Sequence, residues 1–377
     1  MTSLYIENAA AVSPLGNNLT ELWHNILAGE SRFDHASLPG QRRFFAAETQ
    51  PGSASDISAY ASLFSDTIRQ LVDDLHIDSP VDAIFFATAV GNLADVENDI
   101  YAGQAVLADK IDFAAIEQMF AATPAMGPDT RFVCVPTGCC AGLQAIGLAR
   151  SSMARLGLKR AIIMSLDFGL TPMAFEAFNN INATSEFDQQ LPTSPSRPFC
   201  RQRSGFLFAD GGGAILVNTD NSDNPRISGY GCVSSAFHMT DIDTDGHSIR
   251  QSIERALSEA RLAATDIDHI NLHASGTQQN DEAEYQALVQ LMGEQLPEIT
   301  AFKGNHGHAL GGANLIEVAL AWKMLEQKML PPTPEGLPVD AFAAVPAREA
   351  AQPFAGRTIL KTASGFSGIH AAIVMER

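Results

Sequence analysis

A cysteine lies where a short strand is expected to turn into a helix. The apolar run Phe132–Val135 (FVCV) is typical of a strand buried on both faces, and a proline and a glycine after it indicate a turn. The small residues that follow predict a helix over 140–156. Cys139 would then stand at a helix N-terminus, where the helix dipole and free N–H groups favour a thiolate. We interpret Cys139 as a candidate nucleophile, with a buried structural cysteine as the alternative.

Two histidines stand in loops of similar character further along the chain. His273 follows the apolar run His269–Leu272 (HINL), and His308 is surrounded by glycines ahead of a predicted helix. Sites in α/β proteins form where strands end, so both are candidate functional residues. Each could instead be a structural histidine held by its loop. His306 and His308 also form an H-x-H pair, but no third ligand is apparent and we expect no metal site.

Alternating strands and helices must position these residues. Continuous apolar runs predict strands, and amphipathic or small-residue patterns predict helices. The predicted strands are 83–87, 132–135, 160–164, 213–217, 226–233, 269–272 and 373–375, and the predicted helices are 19–27, 140–156, 247–260, 281–293 and 312–328. This alternation indicates the α/β class with layered sheets.

A polar turn with proline at Ser222–Pro225 divides the chain into two parts of comparable strand and helix content. We therefore predict an N-terminal half over residues 1–222, which carries the nucleophile, and a C-terminal half over 223–377, which carries both histidines. A duplicated, pseudo-symmetric fold follows from this organisation, although no repeat is visible at the residue level.

Composition narrows the class of protein. The 377 residues are 46% hydrophobic and 18% charged, enough apolar content for a sizeable core. A net charge of −19 argues against nucleic acid and anionic membranes as partners. The five cysteines show no metal-ligand or C-x-x-C spacing, and no apolar run approaches the roughly 20 residues of a membrane span. No signal peptide is apparent, so we expect a soluble, cytoplasmic protein.

Four segments, in this order, resemble the motifs of the β-ketoacyl synthase family of condensing enzymes. They are TGCCAG at 137–142, LHASGTQQND at 272–281, KGNHGHALGGA at 303–313 and GFSG at 365–368. Further matches at 12–16, 27–31, 196–199 and 205–211 extend the likeness over nearly the whole chain. The sequences of these motifs are most similar to those of ketosynthase subunits of type II polyketide systems, including aryl-polyene-like ones. They are also similar to those of fatty-acid-elongating synthases.

The resemblance implies a thiolase-like fold, a duplicated αβαβα layered sandwich with pseudo-twofold halves. It also implies a β-ketoacyl-ACP synthase, an acyltransferase in which Cys139 accepts an acyl group from an acyl carrier protein. A malonyl group on a second carrier would lose CO2, with His273 and His308 donating hydrogen bonds to the enolate oxygen. The N–H groups of Cys139 and Phe366 would form the oxyanion hole.

Further roles are carried over from the same family motifs. Lys303 and Glu317 would set charge and orientation behind the histidines, and Phe366 would gate the nucleophile. No cofactor is implied beyond the phosphopantetheine arm of the carrier protein. Ser275 and Thr277 would contact that arm. Arg201 and Arg203 would form a basic patch that meets the acidic carrier protein, and the alternative is that these two arginines are ordinary surface charges.

The sequence departs from the family pattern in several places. The last loop reads GFSGIH where GFGGTN is usual, Ala274 replaces a usual glycine, Cys200 replaces a common aspartate, and the region over 45–75 looks trimmed. Alternatives to the condensing enzyme are a non-elongating subunit of the chain-length-factor type, another thiolase-superfamily acyltransferase, and a non-enzymatic scaffold. We expect either a homodimer or a heterodimer with a chain-length-factor-like subunit, formed by pairing a strand near the nucleophile.

Overall fold

The structure is a computed structural model, and it describes residues 3–36, 44–185, 196–200, 203–220, 222–238, 240–293, 296–332, 348–366 and 368–377. The described strands are Leu4–Val12 (β1), Asp34–Ala36 (β2), Phe44–Ala47 (β3), Ala83–Thr88 (β4), Arg131–Pro136 (β5), Arg160–Asp167 (β6), Phe208–Ala209 (β7), Gly211–Asn218 (β8), Arg226–Ser234 (β9), His269–Asn271 (β10), Glu298–Thr300 (β11), Met329–Leu330 (β12), Gln352–Pro353 (β13), Thr358–Ser364 (β14) and Ile369–Glu376 (β15).

The described α-helices are Leu19–Leu27 (α1), Ile57–Asp74 (α2), Leu93–Tyr101 (α3), Ala108–Ile111 (α4), Ala114–Phe120 (α5), Ala141–Leu156 (α6), Pro172–Asn180 (α7), His247–Ala260 (α8), Gln278–Met292 (α9), Lys303–His306 (α10) and Ala313–Gln327 (α11). Single 3-10 turns at Gly138–Cys140 and Leu310–Gly312 stand directly before α6 and α11.

Ten strands are hydrogen-bonded in the order β5-β4-β6-β8-β1-β9-β15-β14-β10-β11. In the N-terminal part, β4 runs parallel to β5 and β6, while β8 is antiparallel to β6 and β1. In the C-terminal part, β10 runs parallel to β11 and β14, while β15 is antiparallel to β14 and β9. The two parts therefore repeat one strand pattern about the β1–β9 junction, as the predicted duplicated fold requires.

The five strands on each side of the β1–β9 junction form a half-sheet that is buried on both faces. The sequences of these strands are therefore continuous apolar runs. In β6, Ala161 and Ile163 join one buried cluster while Ile162 and Met164 join another. The first cluster contains α6 and α11, the second contains α2, and a third contains α8 and α9 with the far side of β15. Helices thus cover both outer faces, and α6 and α11 fill the centre, which is the predicted α/β layered sandwich.

Glycines in β8 let α11 lie directly against the sheet. A methyl group added at Gly213 would stand 2.5 Å from the Leu315 carbonyl carbon and 2.6 Å from the Ile316 nitrogen. No side chain fits at that distance, so the approach depends on glycine. The contact places the first turns of α11, with Asn314 and Glu317, against the sheet that carries the nucleophile.

Most predicted elements agree with the structure, with differences at their ends. Helix α1 has the predicted bounds and is capped by Asn18, whose side chain accepts from the Glu21 N–H. Helix α9 begins at Gln278, three residues before the predicted start, because Thr277 caps it. The segment that looked trimmed contains α2, an 18-residue helix that Asp56 caps. The division into two domains at residues 222 and 223 stays a prediction.

Candidate active site

The elbow at Cys139 is built as the sequence indicates, from a strand, a turn and a helix. Strand β5 ends at Pro136, Gly138 takes a left-handed φ of +80°, and the 3-10 turn over Cys139 leads into α6. Asn314 Nδ2 of α11 donates to the Cys139 carbonyl at 2.9 Å, which ties the elbow to the central helix layer.

The two adjacent cysteines face different parts of the core. Cys139 packs in the cluster that contains α2 and is 7% exposed, whereas Cys140 lies in the cluster that contains α6 and α11. The Cys140 thiol donates to the Ile369 carbonyl at 3.1 Å. Cys140 is therefore a packing residue, as its position one step into the helix predicts.

Cys139 is a thiol in the protein without substrate. Burial, and after it the charge of Asp167, raise the pKa of Cys139 to about 12, and the opposing effects of Lys303 and of the Cys139 N–H are smaller. The thiolate expected at a helix N-terminus is therefore not the resting form, since α6 begins two residues later and the side chain is enclosed. A base must therefore take the proton of Cys139 before its sulfur can act as a nucleophile.

Asp167, at the end of β6, supports the elbow from below and was not singled out in the sequence. Its carboxylate accepts from Thr88 Oγ1 at 2.6 Å, from the N–H groups of Ala89 and Val90 at 2.9 Å, and from the Gly312 N–H at 3.1 Å. Burial raises its pKa to about 6, although these donors oppose the shift. It joins the loop after β4 to the turn before α11, and that turn packs against the turn over Cys139.

The two predicted histidines meet in one place. His273 follows β10 and His308 stands between α10 and the turn before α11, and their ring centroids are 5.3 Å apart at an angle of 79°. The backbone N–H of His308 donates to the Leu207 carbonyl at 2.7 Å. The Phe206 ring packs against the His308 imidazole with a centroid separation of 5.0 Å.

Both imidazoles are neutral at physiological pH. Burial, followed by the charge of Lys303, lowers the pKa of His273 and of His308 well below the ordinary value of 6.5. His306, the other half of the H-x-H pair, is also buried, and burial lowers its pKa to about 4. Within the described ranges, no three His, Cys, Asp or Glu side chains are placed to hold a metal ion.

One small cavity joins the nucleophile to the histidines. Its volume is about 10 Å3, room for roughly one water molecule. Cys139, His273, His308 and the predicted gate Phe366 all line it. The remaining lining residues are Phe206, Ile242, Ser275, Thr277, Asn280 and Ser364. The space beside the thiol is therefore small, and the side chain of Phe366 is part of its wall.

Ser275 and Thr277, the predicted contacts of the phosphopantetheine arm, also organise their own loop. Their hydroxyl oxygens are 2.9 Å apart, and the Thr277 side chain caps α9 by accepting from the Asn280 N–H. Both residues line the cavity that contains Cys139. The hydroxyl groups are thus placed beside the thiol, while binding of the arm stays a prediction.

The structure brings Lys303 and Glu317 together behind the histidines. Lys303 Nζ donates to the His273 carbonyl and to Glu317 Oε1, each at 2.7 Å, and neither side chain is exposed to solvent. Burial disfavours the carboxylate, but Lys303 and Lys361 together lower the pKa of Glu317 below its ordinary value. The expected lysine–glutamate pair is present, and Lys361 is a second cation that the sequence motifs did not single out.

Glu284 and Thr362 anchor the backbone of His273 and were also missed. Glu284 Oε1 accepts from the His273 N–H at 2.8 Å, and Oε2 accepts from the Ala274 N–H at 2.9 Å. Thr362 Oγ1 accepts from the His273 N–H at 3.0 Å and donates to Glu284 at 2.5 Å. Glu284 stands three residues after Asp281, the last residue of the LHASGTQQND segment, on the same helix. This spacing is the signal that could have identified Glu284.

Two departures from the family pattern have structural counterparts. Ala274, at a usual glycine position, has a left-handed φ of +47°, a conformation that glycine adopts more easily. His370 pairs across the hairpin with Ser364, and its Nδ1 lies 3.0 Å from the Ser364 hydroxyl, which lines the cavity. Both changes therefore lie within one residue or one hydrogen bond of the site.

The arginine patch is only partly described. Arg203 is turned inward, with Nε 3.5 Å from Asp281 Oδ2 and Nη1 donating to the Cys200 carbonyl at 3.0 Å, and 10% of its side chain is exposed. It holds the loop before α9 and does not stand apart as a surface cation. Arg201 lies outside the described residues, as does Ser367. Docking of a carrier protein at these arginines, and the oxyanion hole from the Cys139 and Phe366 N–H groups, stay predictions.

Family models match both parts of the chain. The beta-ketoacyl synthase N-terminal domain matches residues 122–222, and the beta-ketoacyl synthase C-terminal domain matches residues 225–336. The helices of the described residues include none that is long and apolar enough to cross a bilayer.

Proteins of similar sequence carry related names. The chain is 32% identical over 266 residues to the actinorhodin polyketide beta-ketoacyl synthase 1 of Streptomyces coelicolor, covering 67% of this chain and 56% of that protein. It is 32% identical over 256 residues to the tetracenomycin polyketide synthase ketoacyl synthase alpha subunit of Streptomyces glaucescens, covering 64% and 59%. The match thus spans less than two thirds of these relatives. The 3-oxoacyl-[acyl-carrier-protein] synthase 2 of Coxiella burnetii matches over 99% of this chain and 98% of its own length, at 24% identity.

Solved structures share the fold over the whole chain. A ketosynthase of a type II polyketide synthase, bound to a hexaketide and its acyl carrier protein, has a TM-score of 0.83 at 23% identity, covering 100% of this chain and 99% of that one. A beta-ketoacyl synthase from Burkholderia phymatum has a TM-score of 0.80 at 21% identity, with both chains fully covered. With the duplicated sandwich, the matched domains and the motif residues gathered around one cavity, the chain belongs to the β-ketoacyl synthase family of the thiolase fold.

Proposed function

We propose that this protein is a β-ketoacyl-ACP synthase, an acyltransferase that performs a decarboxylative Claisen condensation in a type II polyketide or fatty-acid-like pathway. The observation that carries the proposal is the shared cavity of Cys139, His273 and His308. The two imidazoles are uncharged there, and the Lys303–Glu317 pair lies directly behind them. The first half of the condensation uses Cys139 and a neutral imidazole, and the second half uses both imidazoles as hydrogen-bond donors.

In the first half-reaction, the Cys139 sulfur attacks the thioester carbonyl of an acyl group on a carrier protein. A neutral imidazole in the same cavity takes the thiol proton. This proton transfer is necessary because the pKa of Cys139 is high. The new carbon–sulfur bond forms at Cys139, the bond to the phosphopantetheine sulfur breaks, and that sulfur leaves with the proton as a thiol. The acyl chain is then held on the enzyme.

In the second half-reaction, a malonyl thioester loses CO2. The electron pair of the broken carbon–carbon bond passes to the thioester oxygen as an enolate, to which His273 and His308 donate hydrogen bonds. Neutral imidazoles can donate to an oxyanion without first being protonated. The enolate carbon attacks the acyl group on Cys139, and the cysteine sulfur leaves as a thiolate when the carbon–carbon bond closes. One proton taken up from water then restores the resting thiol.

The carrier protein and a second subunit are part of this proposal. One solved neighbour is described as a ketosynthase in complex with its acyl carrier protein, and others as ketosynthases with a chain length factor. Strand β5 ends the described sheet and borders only β4, so its outer edge can pair with another chain. We extend this to a homodimer or a chain-length-factor-like heterodimer, and to a cytoplasmic location, which suits five free cysteines.

A chain-length-factor-like subunit is the second candidate, because some structural neighbours are complexes that contain such a subunit. A non-elongating subunit does not need a nucleophile facing two histidines. The enclosed Cys139–His273–His308 arrangement favours the condensing role. A different thiolase-superfamily acyltransferase is less well supported, because the two matched family models are both ketosynthase domains.

Condensation in vitro tests the proposal. The purified protein, with any co-expressed partner, is given an acyl-loaded and a malonyl-loaded carrier protein, and mass spectrometry detects the β-ketoacyl carrier product. We expect product with the wild type and with Cys232→Ala, a matched thiol removal away from the cavity, and at least a thousandfold less with Cys139→Ala. Equal product from Cys139→Ala and wild type would overturn the proposal.

A further inference from the structure

A second buried lysine faces the carboxylate behind the histidines. Lys361 lies on β14, where its register partner on β10 is Asn271, two residues before His273. Its Nζ is 2.5 Å from Glu317 Oε2, while Lys303 Nζ is 2.7 Å from Glu317 Oε1. All three side chains are fully buried. One carboxylate is therefore held between two ammonium groups.

Lys361 is also connected to the backbone that carries His273. Its Nζ donates to the Thr362 carbonyl at 2.6 Å, and the Thr362 hydroxyl accepts from the His273 N–H at 3.0 Å. Displacement of Lys361 would therefore affect Glu317 and the support of His273 together. The side chains of Lys303, Glu317 and Lys361 are closed off from solvent.

The charged and titratable groups around the two imidazoles come from several elements. His273 faces Lys303, His308, Lys361 and His370, with Glu284 bonded to its N–H group. His308 faces Lys303, Lys361 and His306, and Glu317 of α11 lies behind them. Both lysines act in the same direction on both histidines, because a nearby positive charge disfavours a second one.

We propose that Lys361 is a positioning residue for decarboxylation, which fixes Glu317 between two cations and places a second positive charge behind His273 and His308. The inference rests on the proposed ketosynthase function. A positive charge at this place keeps the imidazoles uncharged as the pH falls. It also favours the negative charge that develops on the enolate oxygen in front of them, in a site where water cannot screen it.

A purely structural role predicts a different result. If Lys361 only neutralises buried carboxylates, its removal lowers the stability of the protein but leaves the shape of the pH profile unchanged. If it acts through the histidines, the acid limb moves to higher pH, because without Lys361 each imidazole binds a proton more readily. The pH profile therefore separates the two roles.

The test compares decarboxylation of a malonyl-loaded carrier protein by wild type, Lys361→Met and Lys361→Arg, from about pH 5 to pH 9. Lys361→Met removes the charge at similar length, and Lys361→Arg keeps it. We expect the acid limb of Lys361→Met to rise by about one pH unit, with kcat on that limb falling by up to about tenfold. KM for the carrier, and acyl transfer to Cys139 at neutral pH, should change little, and Lys361→Arg should keep the wild-type limb.

An unchanged acid limb in folded Lys361→Met would overturn the inference while leaving the ketosynthase proposal intact. Failure of the wild type to decarboxylate or to accept an acyl group would instead overturn the proposed function. Lys361→Gln, which is neutral but can still donate to Glu317, replaces Lys361→Met if that variant does not fold.

Nitrogen-15 NMR of histidine-labelled wild-type enzyme supplies an independent measurement that needs no variant. It should show His273 and His308 uncharged at about pH 6. Two protonated imidazoles at that pH would contradict the inference.

Discussion

At the scale of residues, the types of the principal side chains were predictable and their ionisation was not. The elbow and the two glycine-flanked loops singled out Cys139, His273 and His308, and all three line one cavity. The resting thiol, in contrast, follows from burial and from Asp167, which lies 28 positions later in the chain and has no motif of its own. Charges brought together by folding set pKa values, so local sequence cannot supply them.

Lys361 shows the same limit. It stands four residues before the GFSGIH loop at 365–370, and nothing in the sequence around it marks it as a partner of Glu317. The pairing arises because β14 lies beside β10 in the sheet, with Lys361 opposite Asn271. Register between distant strands is a property of the tertiary fold.

Replacement of Phe366 by alanine should expose the nucleophile. The cavity beside Cys139 has a volume of about 10 Å3, and Phe366 is part of its wall. With the ring removed and the N–H group kept, we expect iodoacetamide to alkylate Cys139 about tenfold faster at constant pH. Peptide mapping by mass spectrometry measures the rate at this cysteine.

Phe237→Ala is the matched control for that experiment, because Phe237 is 54% exposed and does not line the cavity. Its alkylation rate should equal that of the wild type. An unchanged rate in Phe366→Ala would show that another wall residue controls access to the thiol.

At the scale of elements, the close packing of α11 on β8 brings Glu317, which pairs with Lys303 and Lys361, to the sheet. Predicted helices and strands matched the structure in type, because their apolar periodicity is strong. Their ends differed where a cap decided them, as Thr277 does for α9. The contact at Gly213 could not be foreseen, since a glycine in a strand has several meanings until the opposing element is known.

Gly213→Ala should push α11 away from β8. Its new methyl group would lie 2.5 Å from the Leu315 carbonyl carbon, two residues before Glu317. We expect the free energy of unfolding to fall by about 2–3 kcal/mol and decarboxylation to fall with it, because Glu317 moves relative to Lys303. Denaturant unfolding monitored by circular dichroism gives the first quantity and carbon dioxide release gives the second.

Gly157→Ala, at the end of α6, is the control for the cost of replacing a glycine alone. Its φ is +68° and no atom lies within 4 Å of the added methyl group. It should cost about 1 kcal/mol through its left-handed backbone and leave decarboxylation unchanged. A Gly213→Ala protein as stable and active as wild type would contradict the account of α11.

At the scale of the whole molecule, the site exists because the two repeated halves supply different chemistry. The N-terminal half supplies Cys139, and the C-terminal half supplies His273, His308 and Phe366 to the same cavity. Arg150 of α6 joins the halves through Glu259 of α8 at 2.8 Å, with a further bond to the Ser228 carbonyl. The sequence indicated two halves of similar content, but their shared sheet and its β1–β9 junction required the fold.

The central claim is that an acyl group is carried on Cys139, and intact-protein mass spectrometry tests it most directly. Purified protein is mixed with an acyl-loaded carrier protein, without malonyl substrate, and the adduct is then mapped by peptide analysis. We expect one acyl group per chain, located on Cys139 and absent from Cys139→Ala. An adduct that persists in Cys139→Ala would contradict this claim, as would a carrier that loses its acyl group while Cys139 stays unmodified.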